Sequence, residues 1–339
     1  MLKHLMVAIL LTTCSFTVYA EVIKLATITP EGSQWMKNMR AGAKEIKERT
    51  DGRVTIKLYG GGVMGNDKKV LRKIRIGQLH GGAFTASGLS SRYKNLNLYS
   101  LPLVFESLDQ VDYVRERMDE KLRQGLEDAG FVSFGFAEGG FAMLMSNQPV
   151  RSLADLKNQK IWVPEGDEIS YSAMEALGLS PVTLPITDVL TGLQTGLLSI
   201  VGTSPVGALV LQWHTKVKYI TNLPLSYLIG FMAIDKRAFD KLQEEDQVVV
   251  REVMAGIYEN FNINSRIDNE QAIEALLATG IELVEPNPEE VPTWRDVVTQ
   301  ANKTKGDSGA FDTVLLDEML GYLKEFKETT SQSATQESN

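Results

Sequence analysis

The sequence predicts an α/β fold built from two units, and three observations carry that expectation. Strand-like and helix-like segments alternate from residue 21 onward, the pattern of an α/β chain. The 339 residues suffice for about two domains at roughly 100–200 residues each. A long helical stretch with few breakers runs from Lys236 to Ala278, after the last strong strand. The composition, 43% hydrophobic and 23% charged, is that of a globular protein and excludes a wholly disordered or collagen-like chain. The formal net charge of −8 offers no electrostatic footprint for nucleic acid. One cysteine and three histidines exclude an intramolecular disulfide framework and leave little material for a Cys/His zinc site.

The first twenty residues read as a secretory signal. Lys3 and His4 form a short polar start, Leu5 to Leu11 an apolar run, and Val18-Tyr19-Ala20 a small-residue exit. The apolar run is too short to span a bilayer. Cleavage after Ala20 would start the mature chain at Glu21, lowering the basic count from 35 to 34 against 43 acidic residues, a net charge of −9. Cys14 follows Leu11-Thr12-Thr13, a weak lipidation context because Thr13 stands where a small residue is usual. The expected product is exported, cysteine-free and soluble.

The elements follow in order. Val22–Ala26 is a short apolar strand, closed by Thr29-Pro30-Glu31-Gly32, and Ser33 is placed to cap a helix. Trp35, Met39, Ala43 and Ile46 form one apolar stripe on that helix. Asp51-Gly52 turns into the alternating strand Val54–Tyr59, and a helix from Asp67 to Ile76 stops at Gly77. Ala83–Thr85 reads as a strand. Val111, Val114, Met118, Leu122 and Leu126 line a helix that stops at Gly130, and Phe131–Phe136 reads as a covered strand. A second unit begins near Gly139-Gly140 with strands at Phe141–Met145 and Lys160–Val163. Helices follow around Ser170–Leu177 and Thr187–Thr195, then a strand at Leu225–Asp235 and the long helix. Beyond Lys327 the chain turns polar and reads as a frayed tail, 328–339.

Several segments suggest chemistry. Gly60-Gly61-Gly62-Val63-Met64-Gly65 matches G-x-G-x-x-G between a strand and a helix. Thr85, Ala86 and Ser87 stand where a ribose-binding acid would be needed, so the run reads as a turn. His80 and His214 lack metal-ligand spacing, and no G-x-S-x-G elbow occurs. No metal, cofactor or catalytic residue is expected. Glu138 and the cluster Glu165, Asp167 and Glu168 follow strands beside glycine or proline, where open α/β sheets place ligands. Glu165, directly after Pro164, is the foremost of these. Trp162 lies on a strand and by default belongs to the core.

The order of motifs resembles the periplasmic substrate-binding proteins of tripartite ATP-independent periplasmic (TRAP) transporters. The resemblance rests on Thr29-Pro30-Glu31-Gly32-Ser33-Gln34-Trp35, Thr50-Asp51-Gly52-Arg53-Val54, Gly62-Val63-Met64-Gly65-Asn66-Asp67, Ser152-Leu153-Ala154-Asp155-Leu156, Ile161-Trp162-Val163-Pro164 and Leu193-Gln194-Thr195-Gly196. It covers essentially the whole mature chain. It implies a two-lobed periplasmic binding protein with crossing strands and a long helix spanning both lobes. A small organic solute would be held between the lobes and delivered to a membrane permease, with no catalysis. The implied division is 21–139 with 228–267 for one lobe and 140–227 with 268–327 for the other. A monomer is expected. The runners-up are a ligand sensor for a membrane regulator and an exported enzyme on the same scaffold.

Departures from the family pattern point to an atypical site. The arginine that usually precedes the Val-Pro pair, and would grip a carboxylate with two hydrogen bonds, is Trp162 here. Phe141-Ala142-Met143 offers no second arginine, Ser199-Ile200 replaces the usual Asp-Gly, and Gly202-Thr203-Ser204-Pro205 stands for a Glu-Asn-Pro-like segment. A glutamate usual after the third strand is missing near Ala86. These changes move Trp162 from the core to the cleft. The expected lining is Phe84, Ser87, Glu138, Trp162, Glu165 and Thr203, suited to an apolar, aromatic or cationic solute. The two aromatics would supply stacking area, Ser87 and Thr203 hydrogen bonds, and Glu138 and Glu165 acceptors or counter-charges.

Overall fold

The computed structural model describes residues 20–337. The expected signal segment and Cys14 lie outside the described residues. The first half contains β1 (Glu21–Ala26), α1 (Gln34–Arg49), β2 (Val54–Tyr59), α2 (Asp67–Arg75), β3 (Gly81–Thr85), α3 (Ala86–Leu89), α4 (Leu108–Asp128), β4 (Phe131–Ser133), β5 (Ala137–Ser146) and α5 (Leu153–Leu156). The second contains β6 (Trp162–Pro164), α6 (Glu168–Ala176), β7 (Val182–Leu184), α7 (Val189–Gln194), β8 (Ile200–Thr203), α8 (Pro205–Val210), β9 (Tyr219–Asp235), α9 (Lys236–Phe239), α10 (Glu244–Ala278), β10 (Glu282–Val284), α11 (Val291–Asp307) and α12 (Thr313–Glu337). The expected α/β class holds. Ser33 caps α1 as its sequence position predicts, accepting a hydrogen bond from the Met36 N–H at 3.2 Å.

Strand β9 organises the fold. Its last residues pair with β3 and β4, and its first with β10, while β5 runs antiparallel along most of its length. The main sheet has the order β2-β1-β3-β9-β5-β8, with β4 and β10 also on β9. Strands β5 and β9 therefore pass from one core to the other. The larger core gathers β1, β3, α1, α4 and the C-terminal half of β9, with Leu25, Val114, Met118 and Phe231 fully inside. Smaller cores around Met145, Val201 and Trp213, and around Leu144 and Ile161, fill the other lobe. The pairing of β5 with β9 slips twice, between Glu138 and Gly140 and between Ala142 and Leu144. The second slip faces Pro224, which lacks an N–H and is tolerated in a strand only at such an irregularity. Pro224 is also why the sequence pattern recognises β9 only from Leu225, six residues late.

Helix α10 spans both cores, as the resemblance implies. Its 35 residues extend about 52 Å at 1.5 Å per residue. Val250, Val253 and Tyr258 pack in the first core and Leu276 in the second. The helical stretch expected from Lys236 is two helices. Asp235 caps α9, and the turn before α10 lets Phe239 and Leu242 both face the first core.

Three expectations are corrected. The strand expected over Phe131–Phe136 ends at Ser133. A Cβ at Gly135 would come within 2.9 Å of the Tyr258 ring, and the chain leaves the sheet there. Helix α12, which the implied division assigns to the second lobe, lies on α4, and Leu316, Met319 and Leu323 belong to the first core. The tail expected to fray from 328 continues α12 to Glu337, with the Thr330 hydroxyl donating to the Phe326 carbonyl at 2.9 Å. Low apolar content alone does not end a helix whose earlier turns are docked.

Candidate functional site

A cavity of about 830 Å³ opens between the two cores. The ends of β3, β5, β6 and β8 reach it, together with the N-termini of α2 and α6 and one face of α10. Phe84, Ser87, Glu138, Trp162 and Thr203 all line it. Glu165 does not.

Each side chain has its own situation. Phe84 sits mid-strand on β3 opposite Phe231. The Ser87 hydroxyl lies 3.2 Å from that of Thr85. Thr203, at the end of β8, is buried and makes no hydrogen bond with the described residues through its hydroxyl. Gly207 keeps that hydroxyl clear, since a Cβ there would approach Thr203 Oγ1 to 2.4 Å. The Trp162 indole N–H donates to the Leu184 carbonyl at 2.9 Å, and its ring meets Trp213 edge-on with centroids 5.1 Å apart. Trp162 is thus both a wall of the cavity and a member of the second core.

The two glutamates are corrected in role. Glu138 touches the cavity, but its carboxylate is already engaged. It accepts from the Ser265 hydroxyl at 2.9 Å, the Tyr227 hydroxyl at 3.2 Å and the Arg266 guanidinium at 3.4 Å. Arg115 in turn donates to the Tyr227 hydroxyl at 2.9 Å and the Phe136 carbonyl at 2.7 Å. This network ties α4, β5, β9 and α10 together where the chain crosses between cores. Glu165 stands at the rim, where Lys68 donates to it at 2.8 Å and Asn66 at 3.3 Å. It bridges the start of α2 to the loop after β6. The pair is partly exposed, a situation worth about 0–1 kcal/mol. Glu165→Gln is therefore expected to weaken solute affinity by less than about fivefold, with the effect shrinking at high salt, in calorimetry.

Asp67 is the residue sequence reasoning missed. The glycine turn after β2, with Gly61, Gly62 and Gly65 at positive φ, delivers Asn66 as the cap of α2 and places Asp67 on the cavity wall. The available signal was its position after a strand end, the rule that singled out Glu165. Asp67 makes no hydrogen bond or ion pair with the described residues, and its burial, with a smaller contribution from Glu165, pushes its carboxyl up to about 6. An acid whose pKa is raised by folding is most compatible with the fold when protonated. The cost begins as pH passes about 4 and is complete above about 6, reaching at most about 3 kcal/mol. Asp67→Asn is therefore expected to raise the urea midpoint at pH 8 and to leave it nearly unchanged at pH 4. Equal stabilisation at both pH values would show that ionisation is not the cause.

The cavity is acidic and apolar. Asp67, Glu138, Asp167 and Asp268 line it, and among the described residues no Lys, Arg or His does. Asp167 caps α6, accepting the Ser170 N–H at 2.9 Å, and burial raises its pKa. Asp268 is exposed at the mouth, on α10. Glu168, grouped with these acids on sequence, points to solvent. No cluster of three His, Cys, Asp or Glu side chains suited to a metal occurs among the described residues.

Two cores joined by shared strands and one spanning helix, with a large cavity between them, define a bilobal solute-binding protein. Residues 25–305 match the family described as bacterial extracellular solute-binding protein, family 7 (DctP). The chain belongs to that family. It is 22% identical to the C4-dicarboxylate-binding periplasmic protein DctP of Rhodobacter capsulatus over 86% of each chain. It is 25% identical to the 2,3-diketo-L-gulonate-binding periplasmic protein YiaO of Escherichia coli, over 70% of this chain and 73% of that protein. Among solved structures it is similar to a TRAP periplasmic solute-binding protein of Xanthobacter autotrophicus with bound β-D-galacturonate. The TM-score is 0.81 at 21% identity, covering 89% of this chain and 99% of the other. A second, from Ochrobactrum anthropi, has its C-terminus in the ligand-binding pocket and gives a TM-score of 0.77 at 26% identity, covering 94% and 99%. No described helix is long and apolar enough to cross a membrane.

Proposed function

We propose that this protein, released to the periplasm by cleavage after Ala20, captures a small organic solute with a neutral or cationic polar group and delivers it to a TRAP-type permease. The family supplies the role. The choice of solute rests on one observation: the cavity wall carries four acids and no cationic side chain among the described residues. A carboxylate placed there would face Asp67 without a guanidinium to hold it, in a medium where unpaired charge is costly. An ammonium group would find in Asp67 a carboxylate that the fold leaves without a partner. Trp162, Phe84 and Thr203 then supply apolar contact and one hydrogen bond. The two lobes close over the solute as a hinge, at the strand crossings near Glu138, and the population shifts only by the difference in affinity between open and closed forms. In this reading residues 21–139, 228–267 and α12 form one lobe, and 140–227 with 268–312 the other.

The test is calorimetry of the mature protein at pH 7.5 with amines, alcohols and carboxylates sharing one carbon skeleton. Binding of the amine or the alcohol, with carboxylates at least tenfold weaker, is the expected result. Carboxylates binding best would overturn it.

A further inference from the structure

The 830 Å³ cavity lies near the top of the range of about 300–1,000 Å³ that holds drug-sized ligands. It does not end at the acid-lined walls. One part continues into the second lobe between α6 and α11, where Ala173 and Leu177 face Trp294 and Val298, and Leu103 and Leu225 complete the wall. Five of the six side chains are aliphatic, and Trp294 adds a largely apolar ring with one N–H donor. They line the cavity and also belong to, or pack against, one apolar cluster, so that cluster is incompletely closed.

Leu103 shows that the opening is held in place. Its φ is +58°, a left-handed conformation that costs a residue with a Cβ roughly 1–2 kcal/mol. The backbone is pinned from both sides. Its N–H donates to the Leu225 carbonyl at 2.6 Å, and its carbonyl accepts from Arg295 on α11 at 2.7 Å. Backbone strain of this kind persists where the surroundings over-determine it, and it gathers at ligand clamps. Water gains little in an apolar space of this kind, whereas a hydrocarbon group would recover the contacts missing from the walls.

We infer that the chamber between α6 and α11 is a subsite for an extended hydrocarbon part of the solute. The solute class is therefore amphipathic, with a polar group at the acid-lined walls and an alkyl or fused-ring body against Leu103 and Trp294. This rests on the proposed reading of the cavity as the solute site.

Three homologous series separate the two ideas: n-alkylamines, n-alkanols and n-alkanoates from four to ten carbons, titrated below micelle formation. Within a series, affinity is expected to rise about fourfold per methylene until the chamber is full. The offset between series reads the charge of the polar walls. Val298→Phe, which fills part of the chamber, is expected to stop the rise at a shorter chain while leaving the four-carbon compound unchanged. Met174→Trp, at a half-buried cavity position, serves the same purpose should Val298→Phe not fold. Affinity independent of chain length in every series, or no binding at any length, overturns the chamber. A rise in every series with alkanoates binding as well as amines supports the chamber and overturns the charge reading alone.

Discussion

Replacing Glu138 with Ala is expected to lower the unfolding free energy by about 3 kcal/mol, read as a fall in the urea midpoint. The Glu138 side chain is only 3% exposed and accepts hydrogen bonds from Ser265, Tyr227 and Arg266. Removing one partner of a buried charged network costs about 3–5 kcal/mol because the other partners are left desolvated and unpaired. The lower end applies here. Arg266 keeps Asp112, and Arg115 keeps Asp119 and the Phe136 carbonyl. Glu138→Gln retains an acceptor for Ser265 and should lose less. The same variants test Glu138 as a hinge residue. The Ala variant is expected to change solute affinity through the open–closed balance, altering amine and alcohol alike. A loss confined to amines would instead return Glu138 to the role of a direct counter-charge.

Trp162→Ala is expected to cost about 3–5 kcal/mol of stability, the usual range for truncating a buried tryptophan. The ring is packed edge-on against Trp213, and its N–H is the donor to the Leu184 carbonyl, joining β6 to β7. Because the same ring lines the cavity, solute affinity should fall by at least about tenfold, or 1.4 kcal/mol. Trp162→Phe separates the contributions. It keeps an aromatic wall and loses one hydrogen bond, worth about 1 kcal/mol, so affinity should stay within about fivefold of wild type. An Ala variant with unchanged affinity would remove Trp162 from the site and leave it a core residue only.

The legible part of the fold was that set by local pattern. The apolar stripe from Met39 to Ile46, the cap at Ser33 and the alternation in Val54–Tyr59 each follow from short-range periodicity. The missed parts depend on distant partners. Strand β8 is four residues long and is a strand because β5 lies beside it. The first residues of β9, before Pro224, are held by β5 and β10. Helix α12 went unread in the sequence, and nothing local states that it packs on α4, more than 180 residues earlier.

The site divides along the same line. Residue types at strand ends can be read off a chain, and five of the six expected residues line one cavity. Whether a carboxylate there is free or spent cannot be read. Glu138 and Glu165 look alike as acids after strands, yet one is consumed by Tyr227, Ser265 and Arg266 and the other by Lys68 and Asn66. Asp67, which drew no attention, is a cavity acid that burial perturbs and that has no hydrogen bond or ion pair with the described residues.

By itself, the sequence determined the α/β class and the two-unit organisation, and the order of its motifs carried the resemblance to the family. These are carried by residue identity and short-range periodicity. Only the tertiary structure decided which acids line the cavity and which are already paired, that α12 packs on α4, and that residues of α6 and α11 also line the cavity. Pairing of charges and closure of apolar surface are made between distant residues, as in the ion pairs Arg49–Glu252 and Lys327–Glu106, and no local pattern encodes which of them meet.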